Sequence, residues 1–288
     1  MKIGVSTYSL LHALQSNEIA VEGMFQWIKQ IGATHVEIVP HGLAVTLDTA
    51  PIIREQANQA GLEISNYAIS ANFAVEDEKQ YRDEIKRVKN EVDVAAALGV
   101  TLMRHDAATR ANATITTFIN ELDQLAVACK EITEYASSYG IVTSIENHGF
   151  YLQGSDRIIA LLDRVDHPNF RLTLDVGNFV CTDEDPAIAV KKCLPYVSMV
   201  HIKDFYIREA NHLLQGDWIQ TAGGKKIRGS IIGQGDLPIN DILHTIIESS
   251  YDGFLSIEFE GIEPCLYGTE KGFQYVQKII NKEGRTYA

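Results

Sequence analysis

The strongest constraint on this chain is an alternation that runs from Lys2 to about Asn281. Short stretches rich in Val, Ile, Leu and Thr give way, again and again, to longer segments whose apolar residues recur at helical spacing. A period-2 run followed by a period-3.6 run is a strand followed by a helix, and its repetition is the βα unit of a parallel sheet. Eight strands are predicted, at residues 3–8, 35–40, 63–68, 101–106, 141–148, 171–177, 198–204 and 254–260. The clearest helices cover 77–98 and 114–139, with Gly99 and Gly140 just beyond them, where a left-handed C-cap is needed. Gly32, Gly61 and Gly253 stand at the same place before the second, third and eighth strands.

Eight units without a composition shift or a Pro/Ser-rich linker predict one closed (β/α)8 barrel, a single domain over 1–288, rather than an open doubly wound sheet. The first βα turn has no Gly-rich dinucleotide fingerprint, which a Rossmann fold would require. The rhythm breaks once, at 206–235, a polar and glycine-rich stretch with alternating patches at 217–220 and 225–232. It reads as an insertion after the seventh strand, with a hairpin in it. That position puts it over the carboxyl-terminal face of the barrel, as a lid or a subunit contact.

A net charge of −13 disfavours a basic nucleic-acid tracking surface and an anionic membrane, since both would repel the chain. Cys129, Cys181, Cys193 and Cys265 are scattered with no CxxC pair, which points to a reducing, cytoplasmic setting and away from a zinc–thiolate site. The opening MKIGVSTYSLLHAL has polar residues inside what a signal peptide would keep apolar, and reads as mature protein.

Four late strands each carry an acidic or imidazole side chain on the face that alternation directs inward. Ser144, Glu146 and His148 share a face of the fifth strand, Thr173, Asp175 and Gly177 of the sixth, Met199, His201 and Lys203 of the seventh, and Ser256, Glu258 and Glu260 of the eighth. If these strands are neighbours, Glu146, Asp175 and Glu258 converge and repel unless a positive charge sits among them. One divalent metal ion, held by Glu146, Asp175, His201 and Glu258, answers that conflict. Three oxygens and an imidazole suit Mn2+, Mg2+ or Co2+, and also admit Zn2+. Glu260, further out, reads as a rim carboxylate, and Glu37 as part of a buried polar network.

The motifs SIENHG at 144–149, LDVGN at 174–178, VHIKD at 200–204, GQGD at 233–236 and LSIEFEG at 255–261 resemble the sugar phosphate isomerase/epimerase superfamily, the xylose isomerase-like TIM-barrel group. The resemblance spans essentially the whole chain and is poor at naming a substrate. It implies the same four metal ligands, with Glu146 and Glu258 also serving as catalytic acid and base. One would take the proton next to a carbonyl, and the other would return it, through a metal-stabilised enediolate.

The candidate substrate-binding residues are His148, Asn178, Arg228, Lys203, His105 and Tyr8. Arg228 precedes the GQGD loop at a position that contacts substrate in relatives. Lys203, Arg104 and His105 lie at strand ends, where they would receive a phosphate or hydroxyls. Tyr8 opens the first loop, and His12 in the same loop reads as packing or solvent-facing. Asn178 stands where many relatives carry a histidine, and this departure counts against the multi-zinc endonucleases that use it as a ligand.

The expected activity is a metal-dependent isomerase or epimerase of a small ketose, ketose phosphate or polyol-derived ketone. A sugar or inosose-type dehydratase on the same site is the alternative, ahead of an abasic-site endonuclease or a catalytically silent binding protein. The expected partner is a small carbohydrate, with no nucleic acid and no membrane, and a homo-oligomer is the family-level expectation.

Overall fold

The computed structural model describes residues 1–110 and 114–284. Its eight barrel strands are β1 (Lys2–Ser6), β2 (His35–Ile38), β3 (Glu63–Ile69), β4 (Leu102–His105), β5 (Val142–Glu146), β6 (Phe170–Asp175), β7 (Val197–Ile202) and β11 (Phe254–Ile257). They close in the order β1-β11-β7-β6-β5-β4-β3-β2, all parallel. This is a (β/α)8 TIM barrel. Several strands end earlier than the alternation predicts: β5 stops at Glu146 and β11 at Ile257, so His148, Glu258 and Glu260 lie in the loops that follow.

Helices α1 (Leu11–Gln15), α2 (Val21–Gln30), α3 (Ala50–Gln59), α4 (Glu78–Leu98), α5 (Ile115–Ser137), α6 (Ser155–Val165), α7 (Pro186–Cys193), α8 (Ile239–Ile247) and α9 (Cys265–Gly284) surround the barrel. The Asp77 carboxylate caps α4 by accepting from the Gln80 N–H, at 2.7 Å, a contact that contributes about 1 kcal/mol. Gly99 closes the same helix in the left-handed region at φ 77°, as the sequence predicts. Gly253 does otherwise: its φ is not left-handed, and a Cβ there would stand 2.4 Å from the Tyr251 hydroxyl, so close packing accounts for it. The apolar core fills the space between strands and helices, with Val36, Leu172, Leu174, Val200 and Leu255 fully buried on the outward faces of their strands.

The insertion forms a small antiparallel sheet of β8 (Asp204–Arg208), β9 (Ile219–Gln220) and β10 (Lys226–Ser230), in the order β8-β10-β9. The GQGD turn ties it down. The Asp204 carboxylate accepts from the N–H groups of Gly233, Gly235 and Leu237, while Asp236 accepts from the Ile207 N–H and Arg208. Among the described residues no helix is long and apolar enough to cross a membrane.

One imidazole is built into the wall at the amino end of the barrel. His35 is fully buried, with Nδ1 on the Ser65 hydroxyl and Nε2 at the Leu255 carbonyl, and a Cβ on neighbouring Gly4 would overlap it. Burial pushes its pKa down from 6.5 to about 4. The folded protein therefore refuses a proton that the unfolded chain accepts below pH 6.5, and stability falls as pH drops from 6.5 toward 4. The urea midpoint is expected to decline over that window, and to decline less in His35→Gln; equal declines in the two proteins would exclude this residue as a cause.

Candidate metal centre

Parallel register sets the geometry of the site. Asp175 on β6 pairs with His201 on β7, and Ser256 on β11 also pairs with His201, which carries Glu258 just beyond the strand end to the same mouth. Glu146, at the end of β5, completes the group. One donor atom from each of Glu146, Asp175, His201 and Glu258 lies within 4.8 Å of the others, and all four residues are buried.

Each of the four side chains is held by a specific partner. His201 Nε2 lies 2.9 Å from Glu37, whose carboxylate also accepts from Asn66 Nδ2 at 2.7 Å. This leaves His201 Nδ1 facing the centre with no hydrogen-bond partner, 3.7 Å from both Glu146 Oε2 and Glu258 Oε2. An imidazole anchored at one nitrogen by a carboxylate and open at the other is how metal-binding histidines are oriented. Asp175 Oδ1 accepts from the N–H groups of Gly177 and Asn178, which turns Oδ2 inward. The Asn147 amide clips β5 to β6 by pairing with both backbone groups of Asp175, each at 2.8 Å.

The charge balance fits a cation. Burial raises the Asp175 pKa, with Glu146 and Glu258 adding to the rise against the pull of Lys203, to about 7. Burial works against ionisation of Glu146 too, but Arg104 and His201 outweigh it and hold that carboxyl well below the usual range. Glu258 is lowered, against its burial, by Lys203 and His201. His201 would be lowered by burial, yet Glu37, Glu258 and Glu146 lift it well above its ordinary value. The protein's own cations thus neutralise only part of the cluster. The inward His201 Nδ1, which has no hydrogen-bond partner, and Asp175 Oδ2, which meets only the Lys203 ammonium, together with the mixed O and N donors, make these four residues a set that could hold a metal ion.

Of the predicted substrate contacts, Tyr8, His148, Lys203 and Asn178 gather here. The Lys203 ammonium reaches Asp175 Oδ2 at 3.2 Å, Glu258 Oε2 at 2.7 Å and Glu260 Oε1 at 3.1 Å. Asn178 donates from Nδ2 to Glu146 Oε1 at 3.1 Å. Tyr8 and His148 border a cavity of about 190 Å³ over the group. Two predicted contacts do not join them. His105 points into the helical layer between the rings of Phe73 and Phe170, because Arg104 takes the inward position on β4. Arg228 stacks 4.5 Å over the Trp218 ring inside the insertion's sheet and does not border the cavity.

Sequence reasoning passed over two residues that do line it. Asp106 accepts from Arg104 Nη2 at 2.7 Å and faces His148 Nδ1 at 3.3 Å, and extending the strand-four alternation by two residues from Arg104 would have found it. His41, edge-on to Tyr8 with ring centroids 5.8 Å apart, comes from an irregular loop with no such signal. A larger groove of about 700 Å³ lies elsewhere, along the amino end of α6 and the β9 edge, and none of the four grouped residues borders it.

Comparison with known proteins agrees with this architecture. The chain is 26% identical over 141 residues to an inosose dehydratase of Clostridium perfringens, a match covering 49% of this chain and 48% of that protein. It spans about half the length of the curated relatives it matches. Among solved structures it is similar to a D-tagatose 3-epimerase-like protein (TM-score 0.74, 20% identity, 98% of this chain and 99% of that one). It is also similar to the probable 3-DHS dehydratase AsbF of Bacillus anthracis (TM-score 0.74, 17% identity, 96% and 99%). At these identities the structural likeness speaks for the fold. The family model described as xylose isomerase-like TIM barrel matches residues 25–279, and the chain belongs to that family.

Proposed function

We propose that this protein is a divalent-metal-dependent isomerase or epimerase of a small ketose, ketose phosphate or related polyol-derived ketone. The supporting observation is the symmetric placement of Glu146 and Glu258, whose Oε2 atoms each stand 3.7 Å from His201 Nδ1. A substrate carbon seated over that point would have two carboxylates within reach. One glutamate removes the proton next to the carbonyl and the other delivers a proton to the opposite face or the neighbouring carbon. Mn2+, Mg2+, Co2+ or Zn2+ held by Glu146, Asp175, His201 and Glu258 supplies Lewis-acid polarisation of the carbonyl and its adjacent hydroxyl. Arg104 keeps Glu146 ionised, Asn178 orients it, and Lys203 and His148 are placed to meet hydroxyl groups on the substrate.

A dehydratase reading on the same site has its own support in the inosose dehydratases among the relatives and in the Lys203 ammonium beside Glu258. After the same proton abstraction, a β-hydroxyl would leave as water. Mass spectrometry of the product separates the two, since isomerisation leaves the mass unchanged.

Glu146→Gln and Glu258→Gln are each expected to cut turnover by about 100-fold or more while leaving the circular dichroism of the fold intact. Activity within tenfold of the natural protein in either variant would refute its acid/base role. Exchange of a substrate α-hydrogen in deuterated water, followed across a ketose panel, is the direct assay. No exchange with any ketose, with and without added metal, would sink the isomerase proposal.

Metal affinity should also depend on pH. His201 and Asp175 both hold protons more tightly than usual in the metal-free cluster, and ligation must displace them. Mn2+ titrated by calorimetry is therefore expected to bind more tightly at pH 8 than at pH 6. Equal or weaker binding at pH 8 would contradict ligation by these groups.

A further inference from the structure

A second cavity lies against the one over the four grouped residues. Tyr8 and Glu260 border both, and the second, of about 200 Å³, lies between the loops after β1 and β11. Each volume alone falls below the range of about 300–1,000 Å³ over which pockets enclose a sizeable ligand, while the two taken together reach it.

The position of the dividing side chains is defined. Ser9 pins the two loops together, donating to the Ile257 carbonyl at 3.0 Å and accepting from the Phe259 N–H at 2.9 Å. Lys203 holds Glu260, and His41 meets the Tyr8 ring edge-on. The second cavity's lining mixes Leu11, Phe259 and Cys265 with the polar groups of Tyr8, His12 and Glu260. That mixture matches a sugar or polyol, which presents apolar C–H faces and hydroxyl edges at once. Beside the Gly261 wall, Glu263 Oε2 is buried and lacks a hydrogen-bond donor; a Cβ on Gly261 would stand 2.4 Å from it.

We propose that the substrate carries a second hydroxylated group, a sugar ring or polyol arm, which seats in this cavity past Tyr8 and Glu260 while its ketone end reacts beside Glu146 and Glu258. The inference rests on the ketone-converting reading of the metal centre, and binding measurements separate the two. D-fructose and the glucosyl-fructoses turanose, maltulose, leucrose and isomaltulose present the same ketose without and with a second ring, carried at four different positions. At least one glucosyl-fructose is expected to bind the full-length protein, with Mn2+ present, about tenfold more tightly than fructose in calorimetry. His12→Trp fills the second cavity from an exposed position, and should abolish that advantage while changing fructose binding less than twofold.

The proposal is overturned if none of the four binds more tightly than fructose, or if His12→Trp weakens fructose and the glucosyl-fructoses alike. Hydrogen exchange into the bound ketose is read in parallel. Its absence would count against the isomerase chemistry, while calorimetry still decides the second cavity.

Discussion

Mutual repulsion among buried carboxylates at the mouth of the barrel is the constraint around which this molecule is arranged. Glu37, Glu146, Asp175 and Glu258 are all buried within one small region, and removing each charge from water costs several kcal/mol unless it is compensated. Arg104, Lys203 and His201 supply that compensation in part, through ion pairs buried as deeply as the acids themselves. What remains is an excess of negative charge around an inward His201 Nδ1 that has no hydrogen-bond partner. Such an arrangement is poor engineering for stability alone, and suits a group that could hold a cation.

The supporting interactions follow from that constraint. Glu37 and Asn66 fix the His201 ring, the N–H groups after β6 fix one oxygen of Asp175, and Asn178 and Arg104 fix Glu146. Each fixes the orientation of one of the grouped side chains, and His201 Nδ1 is left facing the centre without a hydrogen-bond partner. Asn178 serves as a donor to Glu146, which an amide does well.

Around this centre the rim loops are fastened by short polar staples. Ser9 couples the first and last βα loops, and Asp204 gathers three N–H groups of the GQGD turn so that the insertion's sheet stays against β7. The GQGD segment thus has a structural reason for its glycines, since a Cβ on Gly235 would collide with the Asp204 carboxylate. Arg228 contributes to the insertion by stacking on Trp218.

Side-chain alternation made the barrel and the group of Glu146, Asp175, His201 and Glu258 legible in the sequence, because it is a local rule that needs only the order of residues along one strand. The same rule applied strictly to β4 would have sent His105 outward, as it stands. The partners of each charge were beyond its reach. Whether Lys203 meets Glu258, whether Arg228 meets a ring or a cavity, and whether Tyr8 and Glu260 divide one space into two all depend on register between strands and on the paths of loops. Residues as far apart as Glu37 and His201 share a proton only after the barrel has closed. The sequence alone therefore determined which side chains face inward, and the tertiary structure decided which of them touch, because distance between strands is a property of closure and not of any single segment.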